Sequence, residues 1–428
     1  MSLSIKHLKN HIPVVLVHQV GAVSMTFMVC VKVGSRYEDK LVNGASHFIE
    51  HLMFKGTKRR PNALAITKEL DRYGAEYNAF TSKDITGYYI KMDAAHTPLA
   101  LDILHDMLFH SRFEDAELNR ERGVIIEEIN MYEDNPALHM GDLLEGALFP
   151  KSSLGWNIAG PRETIRTISR EALMEYHRRY YIPSRITLTI AGKINPGVLN
   201  ALNQTFGALK QPNIPADGTF APFVASVTER AFAFQPKKIE QVQLGLAFYG
   251  LPYGHVDMPA MALLSTILGG SMSSRLFTEV REKRGLCYSV GAGHHAFEDT
   301  GMFTVNAGLD KTRLGEALGA IWQELKQLKD TQVSADEVRR AKDHIRGRWM
   351  LAFEDSANQA DWYVKQLIFQ GKTSSPAERM KVIDAVKASD IRRLAKQMFD
   401  EKRLGISIVG PFKTKKVVEK IIAEAIKR

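Results

Sequence analysis

The same landmarks occur twice along this chain, in the same order and at nearly the same spacing, which constrains the fold more than any single motif does. Lys83-Asp84-Ile85-Thr86-Gly87-Tyr88 leads into an apolar run and then a helical pattern at 99–108, and Phe297-Glu298-Asp299-Thr300-Gly301-Met302 does the same before a helical pattern at 314–328. Gly87 and Gly301 stand 214 positions apart. Met131-Tyr132-Glu133-Asp134-Asn135 is echoed by Leu351-Ala352-Phe353-Glu354-Asp355-Ser356, and the stretch RITLTIAG at 185–192 by RLGISIVG at 403–410, an offset of 218. Two copies of one unit, each of ordinary domain size, account for these coincidences.

Between the copies, the segment at 211–222 carries three prolines and no apolar period, so it reads as a linker. The expected division is a domain at 1–209, a linker at 210–228 and a homologous domain at 229–428. Within each copy, alternating apolar stretches such as 25–33 and 87–92 interleave with helical stretches. The expected fold class is α+β, with two homologous domains, each an antiparallel sheet with helices packed on one side.

The sharpest chemical feature is Gly44-Ala45-Ser46-His47-Phe48-Ile49-Glu50-His51-Leu52-Met53-Phe54-Lys55-Gly56. Asn43 offers an N-cap and Gly56 a terminator, and nothing between them breaks a helix. His47 and His51, four apart, share a face on which two imidazoles can bind one cation, with Glu50 beside them. A third ligand must come from elsewhere. The helical stretch beginning at Asp115 and stopped by Asn135-Pro136 supplies Glu121 and Glu128, seven apart on one face. One carboxylate can ligate while the other orients a ligand; Glu127 and Glu133 are expected to be solvated.

The motif H-x-x-E-H at His47, Glu50 and His51, followed after about 76 residues by Glu128 with Glu121 seven before it, and a duplicated architecture together resemble the pitrilysin or insulinase family of zinc peptidases, and within it the two-domain type similar to the catalytic subunit of the mitochondrial processing peptidase. The resemblance covers nearly the whole chain. It implies one Zn2+ per chain held by His47, His51 and Glu128, with Glu50 as general base and Glu121 supporting the ligands. It further implies that Arg281 and Tyr288, in Arg281-Glu282-Lys283-Arg284-Gly285-Leu286-Cys287-Tyr288, reach the scissile peptide from the second copy. Glu76-Tyr77-Asn78-Ala79-Phe80-Thr81 resembles the family's substrate-binding edge strand, which places Asn78, Ala79 and Phe80 against a peptide. The second copy has Leu268-Gly269-Gly270-Ser271-Met272-Ser273-Ser274-Arg275-Leu276 where the motif is expected and cannot hold the same metal.

The implied function is a zinc metalloendopeptidase that cleaves peptides or unstructured segments inside a chamber formed by a dimer, with sites shared between the chains of a homodimer. The alternatives are a processing-peptidase subunit that needs a separate partner and a catalytically inactive core-type structural subunit. A lyase with a similar H-x-x-E-H helix, such as S-ribosylhomocysteine lyase, fits poorly because it is shorter, unduplicated and uses a Cys ligand. The net charge of +9 is dispersed among acids, so neither nucleic acid nor a membrane is an expected partner. Two distant cysteines, Cys30 and Cys287, and the lack of an apolar leader or span point to the cytoplasm.

Overall fold

The computed structural model describes residues 2–212, 219–225 and 230–427; positions 213–218 and 226–229 of the expected linker lie outside the described residues. The protein is α+β and divides into two compact units. The first is built on six strands, β1 (Ser2–His7), β2 (Pro13–His18), β3 (Ser24–Val31), β4 (Glu76–Thr81), β5 (Thr86–Asp93) and β6 (Ile186–Gly192), in the spatial order β1-β2-β6-β3-β5-β4. The second has β7 (Ala231–Pro236), β8 (Gln241–Gly250), β9 (Cys287–Ala296), β10 (Gly301–Asp310) and β11 (Gly405–Gly410), in the order β7-β11-β8-β10-β9.

Both sheets are antiparallel but for one pair each, β2 with β6 and β11 with β7, which run parallel. The cause is the same in both. The last strand of each copy inserts between two consecutive strands that run in opposite directions, so it must lie parallel to one of them.

Strand periodicity sorts the side chains into two buried faces. In the first unit Val14, Leu16, Phe27, Val29, Leu188 and Ile190 join a core with Phe48, Ile49, Leu104 and Met107 from the helical layer. On the other face Val15, Val17, Met28, Cys30 and Ala191 pack against Ala360, Tyr363 and Val364 of the helix Ser356–Gln370. The second unit mirrors this. Val242, Leu244, Leu246, Phe303 and Ile406 face one helical layer, while Ala247, Met302 and Val409 pack against Met140, Leu144 and Leu148 of the helix Pro136–Leu148.

The expectation of helices on one side therefore needs correction: each sheet is covered on both faces, and the second cover comes from the other half of the sequence. The compact units are 1–129 with 156–221 and 350–374, and 130–155 with 222–349 and 375–428, so they depart from the division at 210–228 by exchanging one helical segment. The physical reason is visible in the strands. A stretch such as Pro-Val-Val-Leu-Val-His in β2 is apolar at both parities, and both of its faces must leave water. Gly245 lets the exchanged helix approach: a Cβ there would lie 2.2 Å from Met140 Sδ.

Candidate metal centre

The helix Ala45–Met53 carries the H-x-x-E-H residues, and its apolar side, Phe48, Ile49, Leu52 and Met53, is buried in the first unit's core. Its start differs from expectation. The N-cap is Gly44, in the left-handed region at φ 100°, and Asn43 makes no cap. The carboxylate of Glu38 caps the helix instead, accepting from the amides of Gly44 and Ser46 at 2.7 and 2.8 Å and from the Asn43 side chain at 2.8 Å. A negative group at a helix N-terminus satisfies its free donors and favours the dipole. Burial nevertheless pushes Glu38 up to about 7 against those hydrogen bonds.

The second contributor is the helix Asp115–Asp134, which buries Leu118, Glu121, Ile125 and Ile129 and leaves Glu127 exposed. Glu128, one position on, is turned toward the histidines. Its Oε2 lies 3.5 Å from His47 Nε2 and 3.4 Å from His51 Nε2, and one ligand atom from each of the three residues falls within 4.8 Å of the others. On the far side of the His51 ring, Nδ1 lies 3.1 Å from Glu121 Oε2, and Glu121 Oε1 binds Lys55 Nζ at 2.8 Å. A carboxylate on the distal imidazole nitrogen fixes the ring and leaves Nε2 free for a cation.

The electrostatics agree with a cation site. Burial, reinforced by His51, lowers His47 to about 4. Burial also disfavours charge on His51, but hydrogen bonds to Glu121 and Glu128 outweigh it and raise the ring to about 9. Glu128 is held below the usual carboxylate range, first by its hydrogen bond to His51. Two imidazoles and a carboxylate, with a second carboxylate behind, are a donor set that suits zinc with one position left for water.

Glu50 is not part of that three-residue group; its Oε2 accepts from the hydroxyl of Thr81 at 2.6 Å. Burial raises its pKa, with the Thr81 hydrogen bond opposing. Asn78, Ala79 and Phe80 lie on β4, the outermost strand of the sheet. Their side chains diverge. Tyr77 and Ala79 pack toward the core that holds the His47 helix, whereas Phe80 packs on the opposite face and covers Gly87, where a Cβ would meet its ring at 2.4 Å. Asn78 Oδ1 accepts from the Ala79 amide at 2.9 Å.

Arg281 and Tyr288 lie together in the second unit. Arg281 lies in the last turn of the short π-helical segment Phe277–Glu282, Gly285 reverses the chain at φ 57°, and Tyr288 follows on β9. The Arg281 guanidinium sits 4.6 Å from the Phe277 ring centroid and 5.3 Å from that of Tyr288, which is 73% exposed. Glu38, Lys55 and Thr81 were not singled out from sequence. Lys55 alone had a local signal, standing four residues beyond His51, just past the end of the same helix.

Residues 13–162 match the family described as insulinase, peptidase family M16, and residues 167–345 match its peptidase M16 inactive domain. The zinc protease YmxG of Bacillus subtilis, whose function is uncharacterized, is 36% identical over 403 residues, covering 94% of this chain and 97% of that protein. The chain belongs to the insulinase family of peptidases, family M16. An uncharacterized zinc protease of Streptomyces coelicolor is 35% identical, over 92% of this chain and 86% of its own length. The fold agrees: a protease from Helicobacter pylori superposes with a TM-score of 0.91 at 24% identity, over 96% of this chain and 99% of that one. Among the described residues no helix is long and apolar enough to cross a membrane.

Proposed function

We propose that this M16 chain is a zinc-dependent endopeptidase acting on extended peptides or unfolded segments. The observation that carries the proposal is the convergence of His47, His51 and Glu128 with Glu121 behind His51 and Glu50 beside the cluster. Zinc held by the three ligands would supply Lewis acidity toward water and the scissile carbonyl. Glu50, its pKa raised by burial, is suited to take a proton from the attacking water and hand it to the leaving amine. An extended substrate adds to the free edge of β4, and Asn78 and Phe80 contribute through their main chains because their side chains face elsewhere. Arg281 and Tyr288 are the proposed donors to the oxyanion.

The complete set of polar groups favours an active peptidase over a structural subunit. Both halves of the implied site occur on one chain, which favours a homodimer with shared sites over a subunit that needs a different partner. Its thiols are free, Cys30 being buried, which suits a reducing cytoplasm. The test is cleavage of a random peptide pool, read by mass spectrometry beside metal analysis. Wild type should cut, and Glu50→Gln should keep its zinc while losing at least about a hundredfold in rate. A zinc-loaded wild type that leaves the pool intact would overturn the peptidase reading.

A further inference from the structure

Thr81 occupies the last position of β4, where the outermost strand ends beside the H-x-x-E-H helix. Its hydroxyl donates to Glu50 at 2.6 Å. The strand end is itself held in place. The carbonyls of Ser82 and Lys83 accept the amides of Ser35 and Arg36 at 3.1 and 2.9 Å, and Gly34 makes room for them, since a Cβ there would lie 2.2 Å from the Ser82 oxygen. Thr86, opposite Thr81 in the register, is tied by its hydroxyl to the Val33 carbonyl at 2.9 Å. The donor that meets Glu50 is thus mounted on fixed backbone. A carboxylate with one oxygen pinned has its rotamer set and its other oxygen left to accept a proton.

We propose that Thr81 is a positioning residue through which the end of the edge strand sets the orientation of the Glu50 carboxylate. The inference rests on the reading of Glu50 as general base. Its particular consequence is that one residue joins two tasks: its main chain continues the strand to which a peptide adds, and its hydroxyl aims the base. Losing the hydroxyl should therefore slow the chemical step without weakening peptide binding.

Thr81→Val keeps the shape and the strand preference while removing the donor, and Thr81→Ser keeps the donor. Thr81→Val should lower kcat about ten- to a hundredfold with KM within about twofold, as expected for a hydrogen bond to a charged group that matters in the transition state. Zinc content should be unchanged, and Thr81→Ser should stay within about threefold of wild-type kcat. Wild-type kcat in Thr81→Val, or a Thr81→Ser variant as slow as Thr81→Val, would overturn the proposal. A wild type without hydrolysis would count against the peptidase reading, not against the geometry, and crystal structures then decide. Glu50 leaving its wild-type rotamer in Thr81→Val supports the positioning role; an unmoved Glu50 refutes it.

Discussion

The two copies bury the same framework and differ in what they hang on it. Matched by their buried positions, Ala45, Phe48, Ile49, Leu52 and Met53 of the first copy correspond to Ala260, Leu263, Leu264, Ile267 and Leu268 of the helix Met258–Gly269. His47, Glu50 and His51 then stand opposite Ala262, Ser265 and Thr266. This corrects the sequence-based placement of the counterpart at Leu268–Leu276, which mostly follows that helix. On the next long helix Leu118, Glu121 and Ile125 correspond to Val338, Ala341 and Ile345 of Ala335–Ala352, which sets Glu128 opposite Arg348. The apolar positions suffice for the fold in both copies. The polar ones are an addition that costs desolvation, most plainly at Glu121, 1% exposed where the second copy has alanine.

The strongest way to break this comparison is to write the second copy's residues into the first. His47→Ala, His51→Thr and Glu128→Arg, singly or together, should abolish zinc binding and hydrolysis while circular dichroism stays native. Glu127→Ala should keep its zinc; emptying of the site by Glu127→Ala but not by Glu128→Ala would show a different ligand register.

Next in size is the effect of pH on metal affinity. In the metal-free protein His51 is raised to about 9, so at neutral pH it carries a proton that zinc must expel. Affinity should climb by up to about tenfold per pH unit between pH 6 and 9, with about one proton released per metal, measured by calorimetry in buffers of different ionisation heat. The sign for folding runs opposite: the raised His51 stabilises the metal-free fold fully below its unfolded value and loses that contribution as pH rises through about 9. A flat affinity profile would mean that Glu121 and Glu128 do not hold that proton.

A smaller, partial effect is expected from mixing. If the residues of the two copies meet across a homodimer, Glu50→Gln and Tyr288→Phe chains, each impaired alone, should together recover toward about a quarter of wild-type activity on random exchange. No recovery, with exchange verified by a mass tag, would sink the shared site.

The smallest effect sharpens the likeness between the exchanged helices. Asn135 caps Pro136–Leu148 by accepting from Ala137 and Leu138 at 3.1 and 3.3 Å, and Asp355 caps Ser356–Gln370 by accepting from Ala357 and Asn358 at 2.6 and 3.3 Å. Replacing either by Ala should cost about 1 kcal/mol by urea denaturation. Asp355 also binds Lys91 at 2.8 Å. Burial opposes its ionisation, but Lys91 and the helix amides depress its pKa, so its contribution is present above the unfolded carboxylate value and fades as pH falls below it. With 40% of the side chain exposed, that pH-dependent part should be only a few tenths of a kcal/mol, absent in Asp355→Asn.

The clustering of His47, His51 and Glu128 was legible because H-x-x-E-H is a local pattern on one helix, and Glu121 and Glu128 keep helical spacing on another. The two-copy architecture was legible because duplication leaves a fixed offset. What sequence did not show depends on distant partners. Glu38 caps a helix from a preceding turn, and Thr81 reaches Glu50 from a strand 31 residues away. No periodicity records either. The parallel pairs and the exchanged helices were missed for a related reason: an apolar strand states that both faces are buried, without naming what covers them.

The exchange of helices also bears on how the protein is made. The buried hydroxyls of Thr26 and Ser356 meet at 2.7 Å across 330 residues of chain. On a ribosome the first sheet emerges with one apolar face bare and must wait for almost the whole polypeptide before its cover arrives. Such late, long-range closure favours slow assembly and a need for protection in the interval. Cutting the gene at the linker would not yield two independent modules; each fragment would lack the helix its sheet requires, and the pieces should become soluble and ordered only when produced together.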